Sequence, residues 1–145
     1  MLPRYHIISG AILTLVLYFL VPGISFTYLG LLFFSSFLID FDHYVTGAKK
    51  AGSLNLQKIF EYHKRNEIKE RNEISRGIRK KGDFHLFHTI EFHSLIGILG
   101  FFWIGFFYIF IGMVFHSLID IYSLVGNKRF HRREFFLSNW ILKQI

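Results

Sequence analysis

Charged side chains are absent from two long stretches of the chain, residues 7–39 and residues 92–119, which are 33 and 28 positions long. Both exceed the roughly 18 apolar positions that mark a membrane-spanning helix. As one helix the first stretch would be about 50 Å long, against a hydrocarbon core of about 30 Å, so it must fold back. Pro22-Gly23 is the place, because proline disfavours helix at Val21 and glycine permits the turn. The pattern predicts helices over about residues 4–21 and 25–43. The second stretch admits either one span over 94–115 or a hairpin within 86–122 that turns near residues 102–105.

Charge separates these alternatives. All 17 Lys and Arg lie in residues 1–6, in the connector or in the tail, and with 10 Asp and Glu they leave a net charge of +7. A hairpin puts the three basic stretches on one side of the membrane and leaves two uncharged turns on the other, as the positive-inside bias requires. A single span would set the tail, with Lys128, Arg129, Arg132 and Arg133, opposite the connector. The expectation is therefore an all-α, polytopic protein of the cytoplasmic membrane, a single domain over 1–145 with both termini cytoplasmic. Its four short transmembrane helices form two hairpins, the second pair covering about 86–103 and 105–122. A cytoplasmic helical connector spans 44–85, where Leu56, Ile59, Phe60 and His63 recur at helical spacing. The tail, 127–145, reads as an interfacial helix. Arg4 and the apolar run after it resemble a signal peptide, but no small-residue cleavage site follows. Positive-inside topology accounts for the basic charge, so no nucleic-acid partner is expected; membrane lipid and anionic phospholipid headgroups are the expected partners.

In that topology His6, Asp40, Asp42, His43, His88, His93, His116 and Asp120 all fall at the cytoplasmic helix ends. Ionisable groups at membrane depth face the bundle interior and pair, and a divalent metal supplies a partner for imidazoles and carboxylates together. With no cysteine in the chain, thiolate sites are excluded, and the donors suit zinc first, manganese or iron next. Eight candidate ligands exceed one tetrahedral shell and point to two ions, an arrangement that attacks phosphoesters. His116 and Asp120 share a helical face at i, i+4, whereas His88 and His93 at i, i+5 do not, so His88 should precede the regular helix. Taken singly, each of these residues also reads as an interfacial group reaching water. Glu91 reads as a catalytic base, a ligand or a first-turn carboxylate. His63 and His131 are expected to be solvated, and His85 is open.

At these residues the sequence resembles the YdjM-like family of small membrane-bound metal-dependent hydrolases, over all four helices. That family carries a His near the start of helix 1, P-D-x-D-H after helix 2, H-R-G-x-T-H-S opening helix 3 and S-H-x-x-x-D closing helix 4. The matching positions are His6, then Asp40-Phe41-Asp42-His43, His88 with His93-Ser94, and His116 with Asp120. Ile39, Thr89-Ile90, Phe92 and Phe115 depart from the pattern, and the lost Arg removes a phosphate clamp. The resemblance implies hydrolase activity. Together with the depth of the site, it leads to a hydrolase of a lipid or lipid-linked phosphoester. A di-iron oxygenase of acyl chains and a non-enzymatic metal-binding or ion-translocating protein are the competing readings.

Overall fold

A computed structural model describes residues 3–145, which are helical and loop segments with no strand among them. Helix α1 (Pro3–Leu20) ends at the Pro22-Gly23 turn, where Gly23 has φ +80°, a conformation that side-chain-bearing residues avoid. Ser25 then caps α2 (Phe26–Leu38), its hydroxyl accepting from the Thr27 amide. The helix expected over 25–43 is two helices. It breaks at Ile39-Asp40, and α3 (Phe41–Ala51) follows. The break falls where an all-round apolar sequence gives way to a one-sided one that buries Asp42 and Gly47. Gly47 lies against Ile59 and His63 of α4 (Leu56–Ser75), and His63, expected in solvent, donates from Nε2 to the His43 carbonyl at 3.1 Å. His131, also expected in solvent, is half-buried.

The third expected helix, 86–103, is shorter than its apolar pattern. A 3-10 turn over Leu86–His88 leads to Thr89, whose extended backbone and hydroxyl cap α5 (Ile90–Leu99), so only 10 residues are helical. Helix α6 (Ile104–Gly126) overruns its expected end at 122 and reaches 23 residues. Among the described residues α6 alone is long and apolar enough to cross a membrane; α1 and α5 are apolar but shorter. The tail carries a 3-10 turn at Phe130–Arg132 and α7 (Leu137–Leu142) in place of one helix over 127–145.

Helices α2 and α6 run parallel, Tyr28 stacking on Tyr108 with centroids 4.9 Å apart. Antiparallel α1 meets α2 where Gly10 faces Ser36, and antiparallel α5 meets α6 where Gly97 faces Phe110. Both uncharged turns consequently lie at one end, and the polar helix ends lie at the other. Small residues let the backbones approach. Around that polar end the tail is clasped to α4 by Arg129–Glu70 and by Arg132–Glu73 at 2.6 Å.

A Cβ on Gly112 would stand 2.4 Å from the Leu32 carbonyl oxygen and 2.1 Å from Ser35 Oγ, whereas one on Gly30 would meet nothing within 4 Å. Gly112→Ala should lower stability by about 1–3 kcal/mol through overpacking. Gly30→Ala should leave it equal or slightly higher. Thermal unfolding of both variants checks the contrast.

Candidate metal centre

Three separate segments bring His88, His116, Asp40 and Asp120 together. Asp40 sits at the α2–α3 break, His88 in the turn before α5, and His116 with Asp120 on one face of α6. Each offers one ligand atom, and the four atoms lie within 4.8 Å of one another. His88 Nε2 is 3.2 Å from His116 Nε2. Asp40 Oδ1 is 3.5 Å from the first and 3.4 Å from the second, and Asp120 Oδ2 is 3.9 Å and 3.7 Å from them. A tetrahedral ion with bonds of about 2.0–2.1 Å sets its ligand atoms roughly 3.3–3.4 Å apart. The cluster therefore has the size of one first coordination sphere and could hold a metal ion.

Hydrogen bonding to the other ring nitrogens decides what the two Nε2 atoms carry. His88 Nδ1 donates to Asp42 Oδ2 at 3.1 Å, and His116 Nδ1 donates to the Ser36 carbonyl at 2.9 Å. Both partners only accept, so in each neutral imidazole the proton is on Nδ1 and a lone pair on Nε2. With both rings neutral, two lone pairs and two carboxylate oxygens face one point, an arrangement that a metal ion, or a proton on one Nε2, relieves. The Ser36 carbonyl is available because α2 stops at Leu38. In a continuing helix it would accept from the Asp40 amide, which here bonds Phe37 instead, at 3.2 Å.

Around the four sit three more of the expected ligands. His6, 1% exposed, stacks on His116 with centroids 3.9 Å apart, and its Nε2 is 3.2 Å from Asp120 Oδ1. Asp42 accepts from the Phe87 amide at 2.9 Å as well as from His88, and so orients that ring. Asp42, His43 and His88 form a second, overlapping group with metal-binding capacity. His85 lies beside it, its ring tilted against that of His43 with centroids 3.6 Å apart and its Nδ1 3.6 Å from Asp42 Oδ1. Burial pushes the His85 imidazole down to about 4 despite nearby Asp42, and burial with His85 beside it pushes His43 down as well, so both rings are neutral near pH 7.

Two expected site residues stand apart. His93 donates from Nδ1 to the Thr89 carbonyl at 2.9 Å and accepts from Ser117 Oγ at 3.0 Å, which uses both nitrogens within the α5–α6 contact. Glu91, the expected base, accepts from the Leu137 and Ser138 amides at 2.9 Å and 3.1 Å and from Ser138 Oγ at 2.9 Å. It is the anchor of α7 rather than a member of the cluster. Sequence reasoning missed Arg133, whose Nη2 donates to Asp120 Oδ2 at 2.6 Å with the side chain 10% exposed. The only signal was an Arg pair in a basic tail. No protein-family model, no curated protein and no solved structure matches the chain.

If the four-atom group binds metal and Asp42 orients His88, Asp42→Asn should weaken binding about 10–100-fold. His116→Ala should abolish it. His93→Ala and Glu91→Ala should leave it unchanged, although Glu91→Ala loosens the tail. Calorimetric titration of the chelator-treated protein with zinc measures each affinity. At 100 times Kd, zinc should stabilise the native chain by about 2.7 kcal/mol in thermal unfolding.

Proposed function

We propose that the chain is a membrane-embedded, metal-dependent hydrolase of phosphoesters borne by lipids, with zinc the favoured ion. The observation that carries this reading is the four-atom group with the Arg133 guanidinium bonded to one of its carboxylates. A divalent ion held there supplies a Lewis acid and lowers the pKa of bound water towards about 7. Arg133 engages Asp120 through Nη2, and an arginine has further N–H donors with the fork geometry that suits phosphate. It fills the role left open where the family motif's Arg is replaced. The residues that carry the YdjM-like resemblance include all four of the group, which supports membership of that family.

Asp40, with 19% of its side chain exposed, is the most open of the four; with His88, His116 and Asp120 as the three protein ligands, the fourth position would go to water and Asp40 would stand beside it to take its proton. Glu91 gives up that role to its amide partners. The four-atom group is read as the site of one resident ion; Asp42 Oδ2 is committed to His88 and the Phe87 amide, while its buried Oδ1, which makes no hydrogen bond among the described residues, with His43 is where a second ion would sit. The membrane reading extends the one membrane-length helix to four crossing segments. Exposed Ile8, Ile12, Leu15 and Phe19 on α1, at 56–76%, and Phe101 and Phe102 at the second turn, at 90% and 83%, suit lipid better than water. Helices this short imply local thinning of the bilayer. His116 and Asp120 lie roughly 15 Å and 9 Å from the C-terminal end of α6, so a lipid phosphoester drawn slightly inward reaches them, while a water-soluble one has farther to go.

Activity should require a divalent metal at a stoichiometry of one ion per chain. Arg133→Gln should lower kcat/KM about 10²–10³-fold, as for loss of one transition-state donor, with the metal retained. A metal-replete protein that releases neither phosphate nor phosphorylated headgroup from a broad lipid panel, yet consumes oxygen with an acyl substrate, would move the assignment to an oxygenase. Two bound ions per chain would restore the dinuclear site.

Topology is directly testable because the chain has no native cysteine. Ile24→Cys and Phe102→Cys should react with an impermeant thiol reagent only from outside the cell, and Arg79→Cys and Asn127→Cys only from inside. Outside labelling of Asn127→Cys would overturn the four-crossing reading.

A further inference from the structure

Between α5 and α6 runs a cavity of about 760 Å³, within the range of sites that bury an organic ligand. Ile98, Phe107 and Phe110 line its length, while His88, His93 and Arg133 stand at one end of the lining. The groove is therefore apolar over most of its length, with one cation, Arg133, and one member of the four-atom group, His88, at its mouth. From Ile90 to Phe101, which both line it, the helical rise gives roughly 16 Å, close to half of a hydrocarbon core of about 30 Å. That is the reach of one lipid chain within one leaflet.

We propose that this groove takes a single acyl chain of a glycerophospholipid whose phosphate is held by Arg133 at the cluster. The proposal rests on the lipid-phosphoester reading and adds to it the chain class and the direction in which the substrate lies. Three features select this occupant. The cation at the mouth complements a phosphate and has no counterpart along the apolar walls. The open side is bordered by Ile98, 55% exposed, and Phe101, 90% exposed, so the leaflet's own chains are what meets it. His93 is tied to Ser117 and Thr89, which keeps its ring against the α5–α6 contact and leaves the mouth to Arg133. A smaller, polar cavity of about 90 Å³, lined by His43, His85 and Arg133 among others, lies on the other side of that same arginine. Arg133 thus stands between an apolar approach for the chain and a polar one for water or a released headgroup.

The test uses the full chain in nanodiscs, loaded with zinc, and phosphatidic acid carrying a photoactivatable diazirine near the end of one acyl chain. Cross-links should concentrate on Ile98, Phe107 and Phe110, at least fivefold over Ile12 and Phe19 on α1. Ile98→Trp, which fills the groove, should cut groove labelling at least fivefold with zinc content unchanged. Arg133→Gln should do the same for phosphatidic acid but not for diacylglycerol bearing the same chain. Even labelling of all exposed apolar residues, or equal groove labelling by diacylglycerol and phosphatidic acid in the unaltered protein, would overturn the proposal. Displacement by a polyprenyl phosphate at lower concentration than by phosphatidic acid would replace the acyl chain with an isoprenoid. Because labelling needs no turnover, groove labelling without any lipid cleavage upholds the groove and overturns the hydrolase. Cleavage without groove labelling does the reverse.

Discussion

Four electron-rich atoms held within the span of one coordination sphere are the constraint around which the polar end of the bundle is arranged. With both rings neutral, two imidazole lone pairs 3.2 Å apart, with carboxylate oxygens at 3.4–3.9 Å, repel one another unless a metal ion or a proton lies between them. The chain holds them there with bonds that leave the rings no alternative orientation: Asp42 to one, the Ser36 carbonyl to the other, and His6 stacked over the second. Such fixed outer partners are what tune a ligand set and select its tautomers. The break after Leu38 contributes directly, since a helix running through to residue 43 would have used the Ser36 carbonyl for its own ladder.

Close backbone contact is the second requirement. Ser36 can meet His116 only because α2 and α6 approach at Gly112, and His6 can lie over that ring only because α1 approaches α2 at Gly10. Small residues occupy these contacts because a Cβ or larger side chain there would hold the backbones apart. The site is therefore coupled to packing halfway down the bundle, and a methyl group at residue 112 acts on the His/Asp cluster through geometry alone.

The C-terminal tail is the third component. Its basic residues would serve as a surface attraction for anionic lipid if they hung free, but they are drawn into specific bonds. Gly82 donates to the Arg132 carbonyl at 2.8 Å, Lys81 to the Arg133 carbonyl at 2.8 Å, and Glu91 binds the first turn of α7. With the backbone on both sides of Arg133 held, its guanidinium reaches Asp120. A segment that looks like a charged appendage is in this way part of the site.

Read alone, the sequence determined the helical class, the turn at Pro22-Gly23, and the residue types that gather at one end, because uncharged runs and helical spacing are local properties. It placed Asp40, His88, His116 and Asp120 among the ligand candidates because i, i+4 spacing on α6 and the position of His88 outside a regular helix follow from 3.6 residues per turn. It overestimated α5 and joined α2 to α3, since apolar character says nothing about where Thr89 or Asp40 takes a bond outside the helix. Only the tertiary structure decided that His93 pairs with Ser117, that Glu91 holds α7, and that Arg133, 13 residues beyond Asp120, returns to it. Those outcomes depend on which donors and acceptors meet across helices, and no periodicity along the chain encodes the distance between two side chains on different elements.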